Sequence, residues 1–389
     1  MSIRLYNNIS KTALSTLGKK YKLGGDIVNP VGILLRSHNL NDETIPDSVL
    51  GIARCGIGVN NIPVDNITKK GVVVFNTPGS NANSVKELTL TGMLIASRNI
   101  YQGISYVNQF GNNIDMSIIE QNKKTFQGTE LMGKTIGIIG LGNIGASVAK
   151  STRHLGMHVI GYDPFTTLKN VKQYTDISDV VKRSDFISVH IPYIKGETDN
   201  LLNHNTLKGL NRNCHILNFS RNGIIDEDYL LEKMKRDEFS GYYITDFPNN
   251  KLVGNQKVIQ MPHLGATTNE ASEISTSMAV DQLDDYLSNG SIKNSVNFPD
   301  VYLERVSHSN IRLSIINENY PGVISEITTI LKQYNINIIQ QINKGNDKVA
   351  YNLFDLDFLP KNKESCILDR LKNITNIIRV RLIFFPNNK

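Results

Sequence analysis

Four polar residues each end an apolar run in the middle of the chain: Asp163, Arg221, Asp246 and His263. A histidine titrates near neutrality, so His263 has the chemistry to take a proton from a hydroxyl group. An arginine offers a planar fork that binds a carboxylate and polarises a carbonyl, a role open to Arg221. Taken singly, a strand-end histidine is more often structural and an arginine more often a surface ion pair. Their setting changes that balance. Gly140-Leu-Gly142-Asn143-Ile144-Gly145 directly follows the apolar run Thr135–Ile139. The first glycine permits a tight turn, the second lets backbone N–H groups approach a pyrophosphate, and the third lets helix pack on strand. The following helix presents its positive end to the phosphates. Asp163, 18 residues beyond Gly145, is placed to accept hydrogen bonds from an adenosine ribose and to repel a 2′-phosphate. The expected cofactor is therefore NAD rather than NADP, and the expected chemistry is hydride transfer on a 2-hydroxy acid.

The elements that must hold these residues are visible as short apolar runs at 134–139, 157–162, 185–191, 214–220, 241–247 and 257–262, alternating with helical segments. That alternation predicts an α/β domain, a doubly wound parallel sheet with helices on both faces. Ligands of such sheets bind beyond the carboxyl ends of the strands, where the four polar residues fall. Val31–Arg36, Gly51–Arg54 and Val72–Asn76 repeat the pattern on a smaller scale. Ser84–Tyr106 reads as one long helix bridging the two units, and Asp281–Gly290 as a helical return. The expected division is a discontinuous substrate-binding domain (1–97 and 268–300) with a Rossmann-type dinucleotide domain (98–267) inserted. A linker (301–309) and a self-contained module (310–389) follow. The module's strands and helices run in ferredoxin-like βαββαβ order.

The 389 residues suffice for two or three cores. A 40% hydrophobic, 20% charged composition is ordinary for a globular protein. No apolar run reaches the ~18 residues of a membrane span, and Met1–Asn8 has no secretory pattern. The three scattered cysteines, Cys55, Cys214 and Cys366, argue against a disulfide framework or a zinc site. The net charge of +6 is spread without a basic stripe, which excludes nucleic acid as an expected partner. A cytoplasmic enzyme with a small anionic substrate and no metal is the reading.

Further segments extend the pattern: His190-Ile-Pro192, Asn218–Glu227, Pro262-His-Leu-Gly-Ala-Thr267, Arg54–Asn61, Asn76-Thr-Pro-Gly79 and Val85-Lys-Glu87. With the glycine loop, they resemble the NAD-dependent D-2-hydroxyacid dehydrogenases over nearly the whole chain. The C-terminal module, with Asn317–Gly322, looks like an ACT domain, which narrows the resemblance to the family's phosphoglycerate-oxidising branch. The resemblance implies oxidation of 3-phospho-D-glycerate to 3-phosphooxypyruvate, the first step of L-serine biosynthesis. The alternatives are a glyoxylate or hydroxypyruvate reductase and a non-catalytic NAD-sensing protein. It also implies that Arg221 orients substrate and His263 exchanges the proton, with Arg36 and Arg54 as further cationic contacts. Ile57, Ile191, Phe219, Ser220 and Gly265 join the glycine loop around the cofactor, and Asp246 meets the nicotinamide amide. L-Serine is the implied effector, held by Asn317, Asn319 and Asn337 at a dimeric interface of a homodimer or homotetramer. Three positions depart from the family pattern. No glutamate follows Asp246 to support the histidine, Asn60 stands where aspartate is usual, and Asn317 stands where histidine is common. Asp246 and then Glu270 are the nearest replacement acids.

Overall fold

The computed structural model describes residues 1–7, 9–111, 116–306 and 309–385. The chain divides into two compact units, Met1–Ser80 with Ser272–Lys389, and Asn81–Ala271. Among the described residues no helix is long and apolar enough to cross a membrane.

The first unit opens with a parallel five-stranded sheet: β1 (Ser2–Leu5), β2 (Lys22–Gly24), β3 (Gly32–Leu35), β4 (Gly51–Arg54) and β5 (Val73–Phe75). Its order is β2-β1-β3-β4-β5, so the winding reverses between β1 and β3. The three runs expected at 31–76 are β3, β4 and β5. The charged and polar residues in Ser2–Leu5 and Lys22–Gly24 mask the other two strands in the sequence. β3 is buried along its length, as both faces of a helix-covered parallel sheet require.

The second unit carries β6 (Thr135–Ile139), β7 (His158–Tyr162), β8 (Lys172–Gln173), β9 (Phe186–Val189), β10 (His215–Asn218), β11 (Tyr243–Thr245) and β12 (Val258–Gln260). All pair in parallel, in the order β12-β11-β10-β9-β6-β7-β8. This is the doubly wound Rossmann order with its switch point between β6 and β9. Apolar clusters cover both faces, one centred on Val180, Ile187 and Ile216, the other on Met93, Ile136 and Leu217.

Two expectations about this region are corrected. Ser84–Tyr106 is not one helix: Ala82–Ser97 and Ile100–Asn108 are separate, broken where Asn99 adopts φ 49°. Asparagine tolerates that left-handed conformation, and the Asn99 side chain is held by the Tyr242 hydroxyl at 3.0 Å. The first of these helices also clusters with the dinucleotide unit, so the boundary falls at 80/81 rather than 97/98. Its small residues explain this: a Cβ at Gly92 would come within 2.9 Å of Leu217 on β10.

Residues 311–384 form β13 (Ile311–Glu318), β14 (Ile338–Gly345), β15 (Val349–Leu356) and β16 (Ile377–Phe384), with helices Val323–Gln333 and Glu364–Lys372. The antiparallel order β14-β15-β13-β16 is the ferredoxin-like arrangement. The module is not self-contained. Odd-numbered residues of β13 face its own helices, while Ile316, Val349, Tyr351 and Leu353 share a core with Ile3, Leu34, Phe75 and Tyr286. It also caps the long helix Asn269–Asn289. The carbonyls of Tyr286, Asn289 and Gly290 accept from Arg381 (3.0 Å), Arg312 (2.8 Å) and Tyr351 (2.7 Å), satisfying groups that a helix terminus leaves open. Within the expected linker, Val301 is buried and bridges Ile292.

Candidate active site

The dinucleotide loop is built around its glycines. Gly140 (φ +91°) leaves β6 at the switch point, and a Cβ there would lie 2.6 Å from the His190 carbonyl oxygen. A Cβ on Gly145 would lie 1.9 Å from the Gly140 carbonyl oxygen. Both positions exclude any side chain. Gly142 meets nothing within 4 Å, so open space lies beside the N-terminus of helix Asn143–His154, where a pyrophosphate requires it.

Asp163 follows β7 and is half-buried. Its Oδ2 accepts the Leu141 N–H at 2.7 Å, and its Oδ1 accepts those of Phe165 and Thr166, both at 2.8 Å. The carboxylate is thus fixed against the glycine loop, with one lone pair on Oδ2 still free for a ribose hydroxyl. Open space at Gly142 and this anchored acid fit NAD.

At β9's end, the Ser188 hydroxyl meets His190 Nε2 at 2.8 Å. Burial pushes the His190 imidazole down to about 3, so it is neutral. Ile191 packs over Gly140. The turn after β10 is held by a residue outside the expected set, Asn218, which is buried. Its Oδ1 accepts the Ser220 N–H at 3.1 Å, and its Nδ2 donates to the Arg221 carbonyl at 2.9 Å. An asparagine inside the apolar run His215-Ile-Leu-Asn-Phe219 was the available signal. Phe219 is buried and Arg221 exposed, with the Arg221 guanidinium donating to the Ser220 carbonyl at 2.6 Å.

Asp246 follows β11 and is 1% exposed. Its Oδ2 accepts the Gly265 N–H at 2.7 Å, while Oδ1 has no partner among the described residues. Burial raises this carboxyl above its ordinary value; the Gly265 N–H and the charges of His263 and Arg221 partly offset that. His263 lies beyond β12 at φ +35°, exposed, its N–H donating to the Asp246 carbonyl at 2.8 Å. Phe247 sets its ring 4.8 Å from the imidazole. Within the described residues of its own unit the imidazole has no hydrogen-bond partner. Glu270 lies in the first turn of helix Asn269–Asn289 and is exposed.

In the first unit, Arg36 follows β3, which borders the switch point of that sheet, and Arg54 ends the neighbouring β4. Asn7 Oδ1 accepts the N–H groups of Arg36, Ser37 and His38 at 3.2, 3.0 and 2.9 Å. Arg36 Nη1 donates to Ser272 at 2.9 Å. A Cβ at Gly56 would come within 2.5 Å of Arg54 Nη1, so glycine makes room for that guanidinium. Both arginines oppose the desolvation that pushes the intervening Cys55 thiol up to about 11. The Ile57 carbonyl accepts from Asn76 at 2.8 Å. Asn60 is exposed.

The three asparagines of the C-terminal module are not brought together within one chain. Asn317 is buried, its Oδ1 accepting from Asn352 at 2.7 Å and its Nδ2 donating to the Glu318 carbonyl at 2.7 Å. Asn319 follows β13 and Asn337 precedes β14. Since Ile338 and Ile311 both pair with Leu356, Asn337 lies at the sheet end opposite Asn319.

Residues 90–268 match the family described as D-isomer specific 2-hydroxyacid dehydrogenase, NAD binding domain. The D-3-phosphoglycerate dehydrogenase of Haemophilus influenzae is 30% identical over 393 residues, covering 97% of this chain and 92% of that protein. D-3-phosphoglycerate dehydrogenase 1 of Saccharomyces cerevisiae is 29% identical over 84% of this chain and 72% of its own length. Among solved structures, the NAD+-bound 3-phosphoglycerate dehydrogenase of Entamoeba histolytica superposes with a TM-score of 0.61 at 27% identity, covering 78% of this chain and 99% of that one. Rhodotorula graminis D-mandelate dehydrogenase shares the fold, with a TM-score of 0.67 at 18% identity over 77% and 98% of the two chains. With a dinucleotide loop whose glycines are sterically required and a near full-length relative at this identity, the chain belongs to the NAD-dependent D-2-hydroxyacid dehydrogenase family.

Proposed function

We propose that the protein oxidises 3-phospho-D-glycerate to 3-phosphooxypyruvate, the entry step of L-serine synthesis. The observation that carries this reading is the placement of Arg221, Asp246 and His263 beyond the carboxyl ends of β10, β11 and β12, in the sheet that holds the dinucleotide loop. The names of the Haemophilus influenzae and Saccharomyces cerevisiae relatives support the substrate. Bound NAD supplies the hydride acceptor. His263 takes the proton of the C2 hydroxyl as the C2–H bond breaks and the carbonyl forms. Arg221 binds the carboxylate and the developing carbonyl oxygen. Arg36 and Arg54 provide positive charge for an anionic substrate. The unpaired Asp246 Oδ1 would accept from the nicotinamide amide, and the backbones of Ile191, Phe219 and Ser220 would border the cofactor.

We further infer a cytoplasmic homo-oligomer inhibited or activated by L-serine. Exposed Ile100, Tyr101, Ile104 and Val107 on helix Ile100–Asn108 support self-association. Three free cysteines agree with a reducing compartment. NADH formation with 3-phosphoglycerate, glycerate, glycolate and lactate tests the substrate. Preference for 3-phosphoglycerate is expected. Faster reduction of glyoxylate or hydroxypyruvate would assign the reductase instead, and no turnover with any of them would leave an NAD-sensing protein.

A further inference from the structure

The parallel sheet of the second unit has a cavity at the end opposite the dinucleotide loop. It is an open cleft of about 450 Å³, within the range of about 300–1,000 Å³ typical of small-molecule sites. Its floor is made by residues at the amino ends of the strands: Lys134 before β6, Asp185 before β9, His215 opening β10, Tyr242 before β11 and Lys257 before β12. None of these belongs to the cofactor set. From His215 to Asn218 is three strand steps, about 10 Å, so the cavity and the Arg221 turn lie at opposite ends of the same strand.

His215 is held in one tautomer. Its Nδ1 accepts the Tyr242 backbone N–H at 3.0 Å, and the ring is stacked on Tyr242 and packed against Phe186. Burial and the charge of Lys257 push its titration down to about 4. The imidazole is therefore neutral, and Nε2 carries its one proton. Among the described residues no acceptor meets that Nε2–H. Lys257 Nζ stands 5.1 Å over the Tyr242 ring. Neither Lys257 nor Lys134 has a carboxylate within ion-pairing distance among the described residues. Asp185, the acid in this lining, spends Oδ2 on the Thr135 N–H at 2.8 Å. Two cations and one fixed neutral donor thus line a solvent-open polar cleft containing one partly engaged carboxylate, leaving a surplus of positive charge.

We propose that this cavity is a second ligand site, for a small polyanion carrying phosphate or carboxylate groups, bound by Lys134, Lys257 and the Nε2–H of His215. The ligand binds together with the cofactor, because the two sites occupy opposite ends of the sheet. Charge recognition of this kind weakens with added salt. The inference stands independently of the substrate assigned above.

Calorimetric titration of the full chain at low ionic strength tests it, with inorganic pyrophosphate in one arm and citrate in the other, both at saturating NADH. One anion per chain is expected beyond any held by the substrate arginines; it is the one lost in the lysine variant below, and its tighter arm identifies phosphate or carboxylate as the preferred group. The Lys134→Met/Lys257→Met variant is expected to lose at least tenfold in anion affinity while NADH affinity stays within twofold. No binding of either anion, binding abolished by NADH, or an unchanged double variant would overturn the site. Should that variant fail to fold, the wild-type imidazole resonances of His215 decide. They must shift on titration, and heat without a shift places the anion elsewhere and refutes the proposal.

Discussion

Asp246 holds His263 through the backbone rather than through the imidazole. The Asp246 carbonyl accepts the His263 N–H at 2.8 Å, and its carboxylate accepts the Gly265 N–H at 2.7 Å. This carboxylate is therefore spent on shaping the loop, and its second oxygen, without a partner among the described residues, is the one we propose for the cofactor. Asp246→Asn retains an acceptor for Gly265 but replaces that second oxygen with a donor. A lost hydrogen bond to a charged group is worth about 1.5–3 kcal/mol. The KM for NAD is expected to rise roughly tenfold or more, with kcat nearly unchanged. Steady-state kinetics against NAD checks this. A collapse of kcat with a shifted pH profile would make Asp246 the histidine's supporting acid.

His263→Ala removes the general base proposed for the reaction, so kcat should fall by about 10²–10⁴ with NADH binding retained. Stopped-flow turnover and fluorescence titration separate the two effects. A fully active variant would falsify the mechanism.

Asp163→Asn keeps an acceptor for backbone N–H groups while removing the negative charge. NAD affinity should drop and discrimination against NADP relax, because repulsion of a 2′-phosphate disappears. Paired KM measurements for NAD and NADP test it, and a wild-type preference for NADP would contradict the role of this acid.

Two half-buried histidines are expected to make the fold sensitive to acid. His190 and His215 have their titrations lowered to about 3 and about 4, against 6.5 when free. Between 6.5 and 4 the unfolded chain binds more protons than the folded one, so stability falls as pH drops through that window. The slope is at most about 1.4 kcal/mol per pH unit for each histidine. Urea unfolding of wild type and His190→Gln from pH 7 to 5 should show the shallower dependence in the variant. Equal slopes would mean that His190 is protonated in the fold.

The C-terminal module is fastened by Arg312 and Asp355, both fully buried, paired at 2.6 and 2.8 Å. Asp355→Asn strands the arginine charge and should cost about 3–5 kcal/mol, while Arg312→Met/Asp355→Leu should cost less than the sum of its single changes. A double-mutant unfolding cycle measures the coupling; additive costs would refute it.

Much of the dinucleotide loop is legible in the sequence. The loop Gly140–Gly145, the strand periods and Asp163 encode local geometry: a turn that forbids Cβ atoms, a buried run of Ile and Val, and an acid one strand further on. Arg221, Asp246 and His263 were legible because strand ends in a parallel sheet face one edge. Contacts between residues far apart in sequence were not. Asn218 looks like any strand residue until its amide is seen bridging Ser220 and Arg221. The helix break at Asn99 depends on Tyr242, 143 positions away. The module at 311–384 reads as independent because its βαββαβ pattern is complete, yet the second face of its sheet is apolar and must be covered. Only packing decides that Tyr286, Leu34 and Phe75 cover it, because burial selects partners by shape and area, which a linear pattern does not record.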